Sequence, residues 1–229
     1  MIARTLRFAK DSSGAAMVEF SIVLVITLLL TGGVIETLFA FWQWNSAMKA
    51  VERGARIAAV SNPVPQNLVS SWASYLPSGK APGDPVPAGV FDILCTGGGT
   101  TYATLTASCS PTTWGAGSKD AMARIFFGRP DTPATTTFTC SSANFGPYSA
   151  GICDLFPRAT PSNVQVRYQA TGLGFYGNPN GPTPTVTVKL RNLQFDYVFI
   201  KGLAGIVQTL LPDITATVTG EDLNSAAPS

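Results

Sequence analysis

Gly14-Ala15-Ala16-Met17-Val18-Glu19-Phe20 opens a run that stays almost wholly apolar through Ile35 and continues as Glu36-Thr37-Leu38-Phe39-Ala40-Phe41-Trp42. It closes on the more polar Lys49-Ala50-Val51-Glu52-Arg53-Gly54-Ala55-Arg56. The sequence carries 17 prolines, and the first of them is Pro63. A stretch free of ring-imposed breaks reads as one long helix, roughly 65–70 Å from Gly14 to Ala59. Phe20 to Phe41 alone reaches roughly 33 Å, enough for a bilayer core. Only Glu36 interrupts that span with a charge, and Trp42 and Trp44 follow where an interfacial aromatic belt would sit. The expectation is a membrane helix with an amphipathic extension.

Glu19 stands at the edge of the apolar run, behind a leader bearing Arg4, Arg7 and Lys10. A carboxylate there is expensive without a partner, which makes it a functional candidate. Glycine at Gly14, glutamate at Glu19 and phenylalanine at Phe20, before a hydrophobic helix, resemble the processing site of type IV prepilins. The resemblance implies cutting between Gly14 and Ala15 by an inner-membrane prepilin peptidase. Further along, Glu36, then Phe41-Trp42-Gln43 and Asn45, then Ala50-Val51-Glu52-Arg53-Gly54-Ala55-Arg56, look like the TadE-like pseudopilins of tight-adherence pilus systems. One departure is Val25, which stands where many relatives have proline, so no kink is expected in this helix.

Two other readings compete for the helix. A cleavable signal peptide needs a shorter apolar region and a small-x-small cut site. Leu38-Phe39-Ala40 places a bulky leucine where that site wants a small residue. A plain signal anchor explains the helix and leaves Glu19 as a carboxylate reaching for interfacial water.

At 229 residues, the chain has room for one membrane segment and one modest domain. The net charge of +2 comes entirely from the first sixty residues, so the remainder offers no basic stripe for nucleic acid. Three basic residues precede the apolar run and three follow it, so the positive-inside count does not orient the helix. The four cysteines, Cys95, Cys109, Cys140 and Cys153, all lie beyond it. Zinc modules bring ligands in pairs two to four residues apart, and these are more widely spaced. An even number beside a membrane segment points to disulfides in an oxidising compartment. Of three connectivities the local one is favoured, Cys95–Cys109 with Cys140–Cys153, each loop contributing about 3 kcal/mol in the chain-entropy model. That places the domain in the periplasm and the leader in the cytoplasm.

Along the chain, Glu52 and Arg56 are spaced to pair on one helix face, and Gly54 invites close packing or fraying. Asn62-Pro63 ends the helix. Leu68, Val69, Trp72, Tyr75 and Leu76 predict a short helix over 66–76. Residues 78–88, with three prolines, read as an extended connection. Gly97-Gly98-Gly99 reads as a turn, and Thr100–Ala107 as a strand. Ser118 caps a helix running to Phe127 with Met122, Ile125 and Phe126 as its apolar side. Asn180-Gly181 marks a tight turn. Strands are expected over Val164–Thr171, Thr185–Arg191, Leu193–Ile200 and Ile214–Thr219, with a short helix over Leu203–Leu211.

The fold class is therefore α+β, organised as a leader (1–14), a spanning helix with its extension (15–60) and a disulfide-bearing domain (61–229). No histidine is present, which removes Ser-His-Asp and Cys-His catalysis. No carboxylates stand in an acid/base motif, and neither an enzyme nor a cofactor is expected. The resemblance implies partners as well: the inner membrane, prepilin peptidase, other pilins and pseudopilins, and the pilus assembly platform. A membrane-anchored periplasmic binding or adhesion module is the alternative.

Overall fold

A computed structural model describes residues 12–128, 140, 150–178, 180–197, 208–210, 212–220 and 223. Helix α1, Ser12–Ala59, is continuous over 48 residues and has no proline to break it. Two parts of the chain form separate compact units: residues 1–42 with 195–209, and residues 43–194 with 210–229. The second is the head, and it includes the last four to five turns of α1.

The head is built on a five-stranded antiparallel sheet. Its strands are β1 (Asp92–Gly98), β2 (Thr106–Ser110), β3 (Val164–Gln169), β4 (Thr185–Leu190) and β7 (Ile214–Thr219), in the order β2-β1-β3-β4-β7. β5 (Gln194–Asp196) and β6 (Gln208–Leu210) make a separate two-stranded sheet. Period-two alternation gives the large sheet two unlike faces. Ile93, Cys95, Val164, Val166, Tyr168, Val186, Val188 and Leu190 are all buried on one of them. Asp92, Leu94, Arg167, Thr187, Lys189 and Thr215 line the open side. The core also takes in Ala47, Ala50, Val51, Ala55, Ile57 and Ala58 from α1.

Among the described residues, three short α-helices complete the head. α2, Leu68–Ser74, buries Leu68 and Trp72, while Tyr75 and Leu76, expected on the same face, lie beyond its end and are exposed. α3, Lys119–Phe127, begins where the Ser118 hydroxyl accepts from the Ala121 N–H and stops at left-handed Gly128, as its sequence dictates. α4, Ile152–Leu155, is a single turn.

Four sequence expectations are corrected. Gly97 and Gly98 belong to strand β1, and the strand expected over Thr100–Ala107 begins only at Thr106. Residues 100–104 turn because the Thr104 hydroxyl accepts from the N–H groups of Thr100 and Thr101. Leu193–Ile200 is a strand over Gln194–Asp196, and residues 198–200 lie outside the described residues. Gln208–Leu210 is a strand and ends the helix expected over Leu203–Leu211, whose other residues are outside the description.

Tyr168 ties the start of the head to its centre. Its ring is fully buried, and its hydroxyl oxygen accepts from the Val64 N–H at 3.2 Å. Burial pushes its phenol far above the usual tyrosine range, with the Val64 N–H pulling in the opposite direction. A folded pKa raised above the unfolded value gives a contribution that is full below about pH 10 and lost as pH rises beyond it. Chemical denaturation from pH 7 to 11 is expected to show a falling midpoint above about pH 10. Tyr168→Phe should flatten that limb while losing roughly 1 kcal/mol at neutral pH, since the Val64 N–H is left unpaired.

Candidate assembly helix and its anchorage in the head

In the first unit, α1 presents an apolar surface to its surroundings. Met17, Phe20, Leu30, Val34, Leu38, Phe41 and Trp42 are each more than half exposed, and the helix is long and apolar enough to cross a membrane. Four of its hydroxyls are satisfied within the helix. Ser21 donates to the Val18 carbonyl, Thr27 to Val23, Thr31 to Thr27 and Thr37 to Gly33, at 2.8–2.9 Å. In hydrocarbon no water could serve those groups, so this back-bonding lets four polar residues sit in an apolar span. Trp42 stacks on Phe39 with ring centroids 5.8 Å apart.

The two carboxylates of the run differ. Gly14, Ala15, Glu19 and Phe20 are all exposed on α1, and a Cβ on Gly14 would meet nothing within 4 Å. Glu36 is 3% exposed. Glu36, the one charge within the apolar span, therefore faces protein.

In the head, the last turns of α1 are held by a short segment that the sequence did not single out. A Cβ built on Gly54 would lie 2.7 Å from Cδ1 and 2.8 Å from Cγ1 of Ile152. Gly54 is thus the hole that admits the fully buried Ile152 side chain, whose burial contributes roughly 1.5–3 kcal/mol. One residue earlier, the Arg53 Nε–H donates to the Ala150 carbonyl at 3.2 Å. Arg53-Gly54 therefore grips Ala150–Ile152 by a hydrogen bond and by close packing. Glu52 and Arg56 make no ion pair with each other: both are exposed, where holding two long side chains together returns little. Gln43 is 1% exposed with both amide atoms unpaired by protein, a burial that its polar side chain did not announce.

The segment beyond Arg53-Gly54 is itself tightly specified. A Cβ on Gly151 would collide with the backbone of Phe126, Phe127 and Gly128 at the end of α3. The Asp154 carboxylate, 6% exposed, accepts from the Gly151 N–H. Cys153 is bonded to Cys140, and Cys95 to Cys109, the two local pairs that the spacing favoured. Cys95 and Cys109 face each other across β1 and β2.

The open face of the sheet forms a shallow groove lined by Asp92, Leu94, Gln165, Arg167, Thr187, Lys189 and Thr215. Its charges are internally paired. Arg167 Nε donates to Asp92 at 2.7 Å, and Lys189 pairs with Asp213 at 2.7 Å. The Arg167 guanidinium bonded to Asp92 holds its carboxyl below the usual carboxylate range. Both carboxylates are thus committed to cations. Among the described residues, no three metal-ligating side chains converge.

Residues 14–56 match the family model described as TadE-like protein. No curated protein and no solved structure matches the chain.

The Gly54 hole makes a sharp test. Gly54→Ala gains about 1 kcal/mol of helix propensity while displacing the tip of Ile152, so its net effect should be small. Gly54→Val should destabilise the head by roughly 1–3 kcal/mol in a denaturation midpoint. Ile152→Ala placed in the same chain should recover part of that loss, as a double-mutant cycle would register.

Proposed function

We propose that this chain is a minor pseudopilin that takes part in assembling a tight-adherence pilus, after prepilin peptidase cuts between Gly14 and Ala15. The observation that carries the reading is the family match over residues 14–56, which spans both the apolar half of α1 and Arg53-Gly54. The geometry supports it in two ways. The apolar half is exposed and back-bonded for a hydrocarbon environment, and the head grips the other half through Arg53 and Gly54.

In this reading the chain is a single-pass protein of the bacterial inner membrane, with its leader cytoplasmic and its head periplasmic. The two disulfides fit an oxidising compartment. The role is structural. Cleavage leaves an amine on Ala15, and helices of neighbouring pilins and pseudopilins pack side by side at the assembly platform. Glu19 of one subunit neutralises the Ala15 amine of its neighbour and so fixes axial register. Removing one partner of such a pair in an apolar bundle strands a charge at a cost of about 3–5 kcal/mol.

A membrane-anchored binding or adhesion module is the second reading, favoured by the open polar face around Arg167 and Lys189. Processing separates the two, because an anchor needs no trimming. Intact-mass measurement of the membrane-extracted protein is expected to place the N terminus at Ala15, and Gly14→Val should leave the leader attached. A full-length N terminus in cells with active prepilin peptidase would overturn the pseudopilin reading.

The carboxylates supply the second test. Glu19→Gln should leave insertion, cleavage and head folding intact while abolishing pilus formation and crosslinking to partner pilins. Glu36→Gln, whose carboxyl is buried within its own chain, should assemble at a reduced yield. Wild-type assembly by Glu19→Gln at matched protein levels would sink the register mechanism.

A further inference from the structure

The segment that receives Arg53 and Gly54 is the same segment that carries the second disulfide. Ala150 accepts from Arg53, Ile152 fills the hole at Gly54, and Cys153 is bonded to Cys140. Behind it lies the end of α3, where Gly151 meets backbone and Ile125 completes the wall around Gly54. The segment is thus pressed between two helices, and a disulfide ties it to Cys140, 13 residues earlier. α4 is a single turn, too short to hold its shape by helix cooperativity. The other bond, Cys95–Cys109, joins two strands that already pair residue by residue, so it adds little to a ladder in place.

We propose that the Cys140–Cys153 disulfide is the catch of the helix–head joint: closing it fixes Ala150–Leu155 in the shape that holds residues 43–59 of α1. Two thiols become one disulfide, giving up two protons and two electrons to the disulfide of a thiol-oxidising protein, which leaves as a dithiol. The order of attack follows from exposure. Cys140 is half-buried and Cys153 is 1% exposed. The Cys140 thiolate therefore attacks the oxidant's disulfide, breaking its S–S bond, releasing one oxidant sulfur as a thiolate and forming the mixed disulfide. The Cys153 thiolate then attacks Cys140 Sγ, forming the internal bond and releasing the oxidant's second sulfur. In a reducing compartment the catch stays open, and the helix docks firmly only after export. The site of this event rests on the periplasmic placement proposed above; the coupling itself rests on contacts within the head.

The test is amide hydrogen exchange on the purified full-length protein in detergent micelles. Cys140→Ser/Cys153→Ser should raise exchange at least about tenfold in peptides covering residues 43–59 and 150–156, with β3 and β4 unchanged. Cys95→Ser/Cys109→Ser should leave residues 43–59 protected, and mild reduction of the wild-type protein should reproduce the first result. Unchanged protection of residues 43–59 without Cys140–Cys153 would overturn the proposal. Equal acceleration of β3 and β4 would also overturn it, because the bond would then be a general staple. None of these outcomes depends on whether Glu19→Gln assembles, so failure of the assembly reading would be seen separately.

Discussion

A side chain fits into a helix only where the helix has no side chain of its own. Ile152 enters α1 at Gly54, and the alanines around that point let the rest of the head come close. Ala47, Ala50, Ala55 and Ala58 are all fully buried. A helix face of methyl groups and one bare Cα can sit deep in a core without forcing rotamers or opening voids. The long helix is consequently a structural member of the head, which shares its hydrophobic cluster.

The same helix meets two different solvation problems along its length. Before Trp42 its surface is apolar and its hydroxyls are turned back onto carbonyls one turn earlier. After Gln43 the stabilisation comes from burial in the head's hydrophobic core, with Ile152 and Ile125 of the short helices against Gly54. Backbone hydrogen bonding is continuous through both halves, so what changes is only what the side chains face. Arg53, which could not lie in hydrocarbon unpaired, stands in the half that offers it a carbonyl.

The sheet solves a related problem by alternation. One face is Ile, Val, Leu and Tyr, and the other is Thr, Gln and paired charges. Cross-strand hydroxyl contacts such as Thr187 with Thr217, at 3.0 Å, knit the open face without burying it. Threonine is at home on such a surface: its branched Cβ suits the strand and its hydroxyl suits water.

By itself the sequence determined whatever depends on local rules. Proline-free length and apolar composition specified α1, while the Ser118 cap and the Gly128 stop specified α3. Alternation marked β3, β-branched composition marked β4, and local cysteine spacing favoured, among three connectivities, the two disulfides found. It also placed Gly54 among the residues of interest, although close packing and fraying look alike in one dimension. Tertiary structure decided what depends on partners distant in sequence. The glycines of β1 read as a turn by propensity, yet pairing with Ala107 and Thr106 of β2 makes Gly97 and Gly98 strand residues, and the close approach of the Pro161 backbone leaves no room for a Cβ at Gly97. Glu36 reads only as a charge within an apolar span, and the fold buries it. Arg56 and Glu52 read as a pair by spacing, while Arg53 is engaged by a carbonyl 97 residues away. Helix periodicity says which side chains share a face; only folding decides what that face will meet.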